Sequence, residues 1–158
     1  MKIRNYLYCL LALFFFSTTL SAKSELPVYS YKYDPARDAI ADGIAAIELA
    51  KRTHRRVLIE VGGDWCSWCH RLDRFLEKNT DIKQALHRHF VLLKVNYSDE
   101  NYNEAFLKVF PPPLGYPHMY ITDAKGVILY SKDTSELVEQ SQYSRKQFLS
   151  FLNKWKNP

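Results

Sequence analysis

Asp64-Trp65-Cys66-Ser67-Trp68-Cys69-His70 is the stretch on which the reading of this chain turns. It holds two cysteines separated by two residues. An apolar, β-branched run, Val57 to Val61, leads into it, and a helix-compatible run, His70 to Lys78, leads out. A thiol at such a junction sits at the first turn of a helix, where unpaired backbone N–H groups and the helix dipole favour negative charge. Its pKa falls, and more of it is thiolate at neutral pH. The second thiol, one turn later, is within disulfide reach, which is the chemistry of a dithiol–disulfide switch. The same argument divides the labour. Cys66, at the exposed helix start, is expected to attack. Cys69, one turn in and facing the sheet, is expected to react slowly with external reagents, because apolar surroundings raise a thiol pKa.

The 158 residues suffice for one domain with a real core, and an aromatic content of 15% with 25% charged residues argues against disorder. The first residues read as a secretory signal over residues 1–22: Lys2 and Arg4, then the apolar run Leu7 to Phe16, then the small and polar Ser17 to Ala22. The alternative, a retained anchor, is disfavoured because the apolar run is too short to span a bilayer comfortably. The expected mature domain is therefore residues 23–158, periplasmic or secreted, with no stable membrane insertion. Cys9 would be lost with the signal, so the mature chain keeps only Cys66 and Cys69. An exported protein with a single cysteine pair has no disulfide framework, and the pair itself needs explaining. Losing Lys2 and Arg4 lowers the formal charge of +5 by two, to +3. The remaining bases are scattered, densest at Lys51-Arg52 and Arg55-Arg56, so no nucleic-acid partner is expected.

Lys23 to Tyr33 reads as an extended lead-in or short edge strand, with Tyr29, Tyr31 and Tyr33 as packing residues. Asp34-Pro35 reads as a helix start, with Ile40, Ile44 and Ile47 at helical spacing up to about His54. Val57–Val61 is a buried strand, and Gly62-Gly63 lets the backbone turn before the cysteines. Leu72, Phe75 and Leu76 mark the inner face of the next helix; Ile82, Ala85 and Leu86 mark that of a second, short one. Phe90 to Tyr97 is a strand, Asn101 to Phe110 a helix stopped by three prolines, and His118 to Thr122 a strand. Asp123 to Gly126 is a hairpin turn, Val127 to Ser131 the return strand, and Ser144 to Trp155 a closing helix with a Ser144/Gln147 capping box. The predicted fold is α/β: a mixed sheet with helices on both faces.

At Trp65-Cys66-Ser67-Trp68-Cys69 and Gly115-Tyr116-Pro117, in this order, the chain resembles the thioredoxin superfamily, and more narrowly its exported members with a W-C-x-x-C motif. The resemblance covers roughly Asp34 to Trp155. It implies that Pro117 follows a cis bond and faces the disulfide. It also implies that Glu60 is a buried acid under the cysteines, able to exchange a proton with Cys69, although a strand position could equally face solvent. It further implies catalysis by Cys66, Cys69 and Glu60, and client contact through Trp65, Ser67, Trp68, Tyr116 and Pro117. Trp65 is read as shielding the disulfide and Trp68 as exposed. The expected partners are protein thiols or disulfides and an unidentified redox partner; no cofactor and no metal are expected. Ser67-Trp68 between the cysteines, Tyr116 before the proline and His118 after it depart from the usual pattern, so redox direction stays open. Competing readings are c-type haem attachment, because Cys66 to His70 satisfies C-x-x-C-H, zinc held with His87 and His89, and a binding protein without turnover. The predicted strands fit a small cytochrome badly, and a one-residue gap is short for a zinc His pair.

Overall fold

The computed structural model of the protein describes residues 25–156. The expected signal, with Cys9, lies outside them. Four strands form the central sheet in the order β2-β1-β3-β4. They are β1 (Arg56–Gly62), β2 (Phe90–Asn96), β3 (His118–Thr122) and β4 (Ile128–Asp133). β1 pairs in parallel with β2, and antiparallel with β3, which pairs antiparallel with β4. Alternate residues of β1 and β2 feed two cores. Leu58 and Leu92 face one layer with Leu72, Leu86 and Phe148; Val57, Ile59, Val91 and Leu93 face the other with Ala46 and Ala50. Burial on both faces explains why these strands read as continuous apolar runs.

The first layer is built by α2 (Ser67–Lys78), α3 (Thr80–His89) and α5 (Arg145–Trp155), the second mainly by α1 (Ala39–Thr53) with the short α4 (Glu104–Leu107). A small ribbon of β5 (Val138–Glu139) and β6 (Gln142–Tyr143) precedes α5. Gly126 takes φ 86° in the β3–β4 turn, as its position requires.

Four sequence expectations are corrected. The lead-in is not a strand: Val28–Ser30 is a 3-10 turn. It lies against β2, an edge strand, and Ser30 Oγ donates to Leu92 O at 2.5 Å. The whole of β2 is thereby buried, a usual way to blunt a sheet edge. The first helix starts at Ala39, not Pro35, because Asp38 rather than Asp34 caps it, accepting from Ile40 N at 2.8 Å and Ala41 N at 3.1 Å. Its inner face is Ala39, Asp42, Ala46 and Ala50, while Ile40 and Ile44 are 47% and 58% exposed. The helix packs so closely that a Cβ on Gly43 would lie 2.8 Å from the Phe106 ring, so small residues mark the contact. The Asn101–Phe110 helix shrinks to α4 because Asn101 Oδ1 accepts from Asn103 N at 2.9 Å and Asn103 takes φ 48°, diverting the backbone. At α5 only half the capping box forms. Ser144 Oγ accepts from Gln147 N at 3.4 Å, but the Gln147 amide turns to Glu139, and Ser144 N donates to Leu137 O.

Candidate active site

β1 ends at Gly62, the chain turns with Cys66 N donating to Gly63 O at 3.0 Å, and α2 begins with Cys66 as its N-cap. Cys66 and Cys69 are joined in a disulfide, their Cα atoms 5.2 Å apart. Cys69 N donates to Cys66 Sγ at 3.1 Å, so a first-turn donor is already aimed at the sulfur where a thiolate would form. Contrary to the expected exposed helix start, Cys66 is only 3% exposed, packed with Cys69 against Tyr33, Trp68 and Tyr116. Gly62 is required by close approach: a Cβ there would lie 2.5 Å from Cys69 Sγ and 3.1 Å from the Tyr33 hydroxyl.

A buried charge network lies beneath the disulfide. Glu60 is fully buried and accepts from the Tyr33 hydroxyl through Oε1; its Oε2 has no hydrogen-bond partner. Lys94, its register partner on β2, holds Nζ 3.7 Å from Glu60 and donates to Asp73 of α2. Burial pushes the Glu60 carboxyl above the ordinary carboxylate range, and the nearby Lys94 charge offsets only part of this. Burial also pulls Lys94 down, but the Glu60 and Asp73 carboxylates outweigh it and its pKa is raised. Burial, then the Glu60 charge, holds Tyr33 well above the usual tyrosine value. Sequence reasoning missed Lys94 and Asp73 and read Tyr33 as packing. The signal available was a lone lysine inside the apolar run Phe90 to Val95.

The rim holds the remaining expected residues. Trp65 is 57% exposed, donates from Nε1 to Tyr97 O at 2.7 Å and meets Tyr116 edge-on at 5.4 Å. Trp68, expected to be exposed, is half-buried instead, edge-on against Tyr143 at 5.8 Å with the Arg71 guanidinium 4.5 Å over its ring. Ser67 and His70 are exposed. Tyr116 stacks on Tyr97 at 5.2 Å, and burial pushes its hydroxyl pKa up to about 12. The Tyr116–Pro117 bond is cis, as expected, and Pro117 O accepts from Thr134 Oγ1 at 2.5 Å. His118 follows in β3, with Nε2 2.8 Å from Ser131 Oγ. His87 and His89, the residues weighed as zinc partners, occupy the last turn of α3.

Comparisons with known proteins agree with this geometry. The disulfide bond reductase DsbH of Chlamydia pneumoniae is 25% identical over 89 residues, 51% of this chain and 54% of that protein. The chain thus matches about half the length of that curated relative. The structure of a disulphide isomerase from Xylella fastidiosa Temecula1 superposes with a TM-score of 0.64 at 27% identity, covering 82% of this chain and 96% of that one. The oxidised C-terminal domain of Neisseria meningitidis DsbD shares the fold at 17% identity and a TM-score of 0.54, over 77% of this chain and 97% of the domain. A family model described as thioredoxin-like matches residues 38–124, from the cap of α1 to the β3–β4 turn and across the whole disulfide site. The chain belongs to the thioredoxin-like family.

Proposed function

We propose that the chain is an exported thiol–disulfide oxidoreductase acting on protein substrates. The observation that carries this reading is the Cys66–Cys69 disulfide at the N-terminus of α2, seated over a buried carboxylate. The names of the DsbH and disulphide isomerase relatives support it. In the reduced protein the Cys66 thiolate attacks one sulfur of a substrate disulfide. The substrate S–S bond breaks, its other sulfur leaves as a thiolate and takes a proton, and a Cys66–substrate mixed disulfide forms. Cys69 then loses its proton to the Glu60 carboxylate. The Tyr33 hydroxyl, bonded to Glu60 and crowded against Gly62 beside Cys69, holds that acceptor in place. The Cys69 thiolate attacks Cys66 Sγ, the substrate leaves fully reduced, and the Cys66–Cys69 disulfide remains. Run backwards, the same steps oxidise a substrate. No cofactor takes part; a separate redox partner resets the pair.

Trp65, Ser67, Trp68, Tyr116 and Pro117 form the surface a client chain meets. The pairing of both sulfurs with each other favours this chemistry over haem attachment, which consumes two free thiols. The test is mixed-disulfide trapping. Cys69→Ser lacks the resolving thiol and should carry DTT-sensitive adducts on non-reducing gels of acid-quenched, alkylated cells, recovered from the exported fraction. Cys66→Ser should carry almost none. Adducts with neither variant would overturn the reading.

A further inference from the structure

α2 leaves the disulfide with two acids and a row of bases. Both acids are engaged off that row: Asp73 with the buried Lys94, and Glu77 with Lys83 of α3 at 2.6 Å. The bases Arg71, Arg74 and Lys78 stand at i, i+3 and i+7, all exposed on one face. Like charges three and four residues apart on a helix repel. Arg74 and Lys78 have no ion-pair partner among the described residues, and the Arg71 guanidinium lies over Trp68. Arg145, from the first turn of α5, closes the row, with its charge shared by Asp81 at 2.7 Å. With the β5–β6 ribbon these residues wall a groove of about 580 Å³ that opens at Trp68 and is lined by four bases and no acid. The groove beside Trp65 has the opposite character: Asp64, Asp99 and Glu100 line it, and no base.

We propose that the α2 groove binds an acidic segment of the protein substrate next to the cysteine pair being exchanged. The proposal rests on the oxidoreductase reading and adds the substrate class. Arg74 and Lys78, exposed and unpaired with no acid in the groove lining, attract carboxylates, and the acidic groove at Trp65 repels the same segment, so the two grooves fix which way a client lies across the site. The groove is continuous with the rim through Trp68, the residue shared by both, so an acidic stretch held there keeps a neighbouring disulfide beside Cys66.

The test uses the DTT-reduced, desalted protein and three synthetic peptides. Each carries one intramolecular disulfide, flanked by acidic, neutral or basic residues. Rate constants for exchange come from acid-quenched samples separated by chromatography. The wild type should reduce the acidic peptide about ten times faster than the basic one at low ionic strength, with the ratio shrinking as salt is raised. Arg74→Glu with Lys78→Glu should invert that ratio. Lys51→Glu with Arg52→Glu, an equal charge change at the end of α1, should leave it as in the wild type. Circular dichroism and the thermal midpoint verify that each variant is folded, and Arg74→Gln with Lys78→Gln, which should level the ratio, replaces any that is not. Equal rates on acidic and basic peptides overturn the proposal, as does a preference that survives reversal in the groove or vanishes on reversal in α1. A wild type without peptide preference that sediments with anionic vesicles gives the groove to a membrane and also overturns it. Failure of the reduced protein to reduce the neutral peptide, together with failure of its disulfide form to oxidise the neutral dithiol peptide, sinks the oxidoreductase reading, and this proposal with it.

Discussion

Replacing Tyr33 with Phe removes one hydroxyl from a site where no water-exposed surface can compensate. The ring is buried and its packing against Cys66 and Cys69 is retained. The lost group is the hydrogen-bond donor to Glu60 Oε1, while Oε2 already lacks a partner and Lys94 Nζ, at 3.7 Å, is beyond hydrogen-bond reach. Glu60 is left as a buried carboxyl with no hydrogen bond. A hydrogen bond to an ionised group contributes about 1.5–3 kcal/mol and one to a neutral group about 0.5–1.5. The difference is about 1–1.5 kcal/mol in favour of the ionised form. Glu60 starts above its ordinary value because of burial, and loss of the donor should carry it further in the same direction. The sign follows. Below the ordinary glutamate range the carboxyl is neutral in both folded and unfolded chains, and the substitution costs only the smaller figure. As pH rises through the raised folded pKa, ionisation is penalised more in the variant, and the cost grows toward the larger figure. Urea unfolding of the oxidised proteins, in which neither cysteine titrates, should therefore show a stability gap between wild type and Tyr33→Phe that widens from acid to neutral pH. Carbon-13 titration of the Glu60 carboxyl should show its midpoint raised. A gap independent of pH, with an unmoved Glu60 midpoint, refutes the argument that the Tyr33 hydroxyl supports the carboxylate.

Gly62→Ala drives a methyl into Cys69 Sγ and the Tyr33 ring, neither free to move, and should cost about 1–3 kcal/mol in urea unfolding, whereas Gly115→Ala, with nothing within 4 Å, should stay within about 0.5. Ala46→Leu should cost a similar 1–3 kcal/mol or so by overpacking, while Ile44→Ser on the exposed side of α1 stays near the wild type; the reverse order would return the inner face to the isoleucines. His87 is half-buried with an unpartnered Nδ1, and this burial, then the Lys83 and Arg55 charges, pulls it down to about 4 in the folded chain against 6.5 unfolded. It is neutral in both states above that range. As pH falls from 6.5 toward 4 the unfolded chain takes up the proton first, so stability is lost across that window. Allowing for partial exposure the loss is about 1–2 kcal/mol, and His87→Leu should flatten this part of the stability–pH curve; an unchanged slope there counts against it.

The strands were legible because both faces of β1 and β2 are covered, and continuous apolar runs need no phase to be recognised. The cysteine motif was legible for a local reason: a strand, two glycines and a helix are contiguous in sequence. α1 was legible as a helix but not in its orientation, since its pattern was weighted by the large isoleucines. Close packing selects small residues, and Ala39, Ala46 and Ala50 carry little hydrophobic signal. The two tryptophans exchanged places for want of a neighbour. Cys66 is the cap, so Trp65 stays outside the helix, while Trp68 enters the first turn and meets Tyr143 on a ribbon whose two-residue strands have no periodicity to read. Lys94 and Tyr33 belong to the site only through the β1–β2 register and a contact spanning 27 residues, neither of which any single window contains.

The segment from Val28 to Tyr33 covers the edge of β2 and delivers the hydroxyl to Glu60, so its timing matters. A chain made from its N-terminus presents this segment before any strand of the sheet. Yet Ser30 bonds Leu92, 62 residues later, and Tyr33 bonds Glu60, 27 residues later. Until β2 is made the segment has nothing to dock on, and once β2 emerges the earlier residues must still be free to come back to it. A segment made before the sheet is thus among the last to find its place. Until it does, the growing sheet carries an open edge, and the carboxyl beneath the cysteines lacks its donor. A domain trimmed past Tyr33 would keep its motif intact while remaining permanently in that unfinished state.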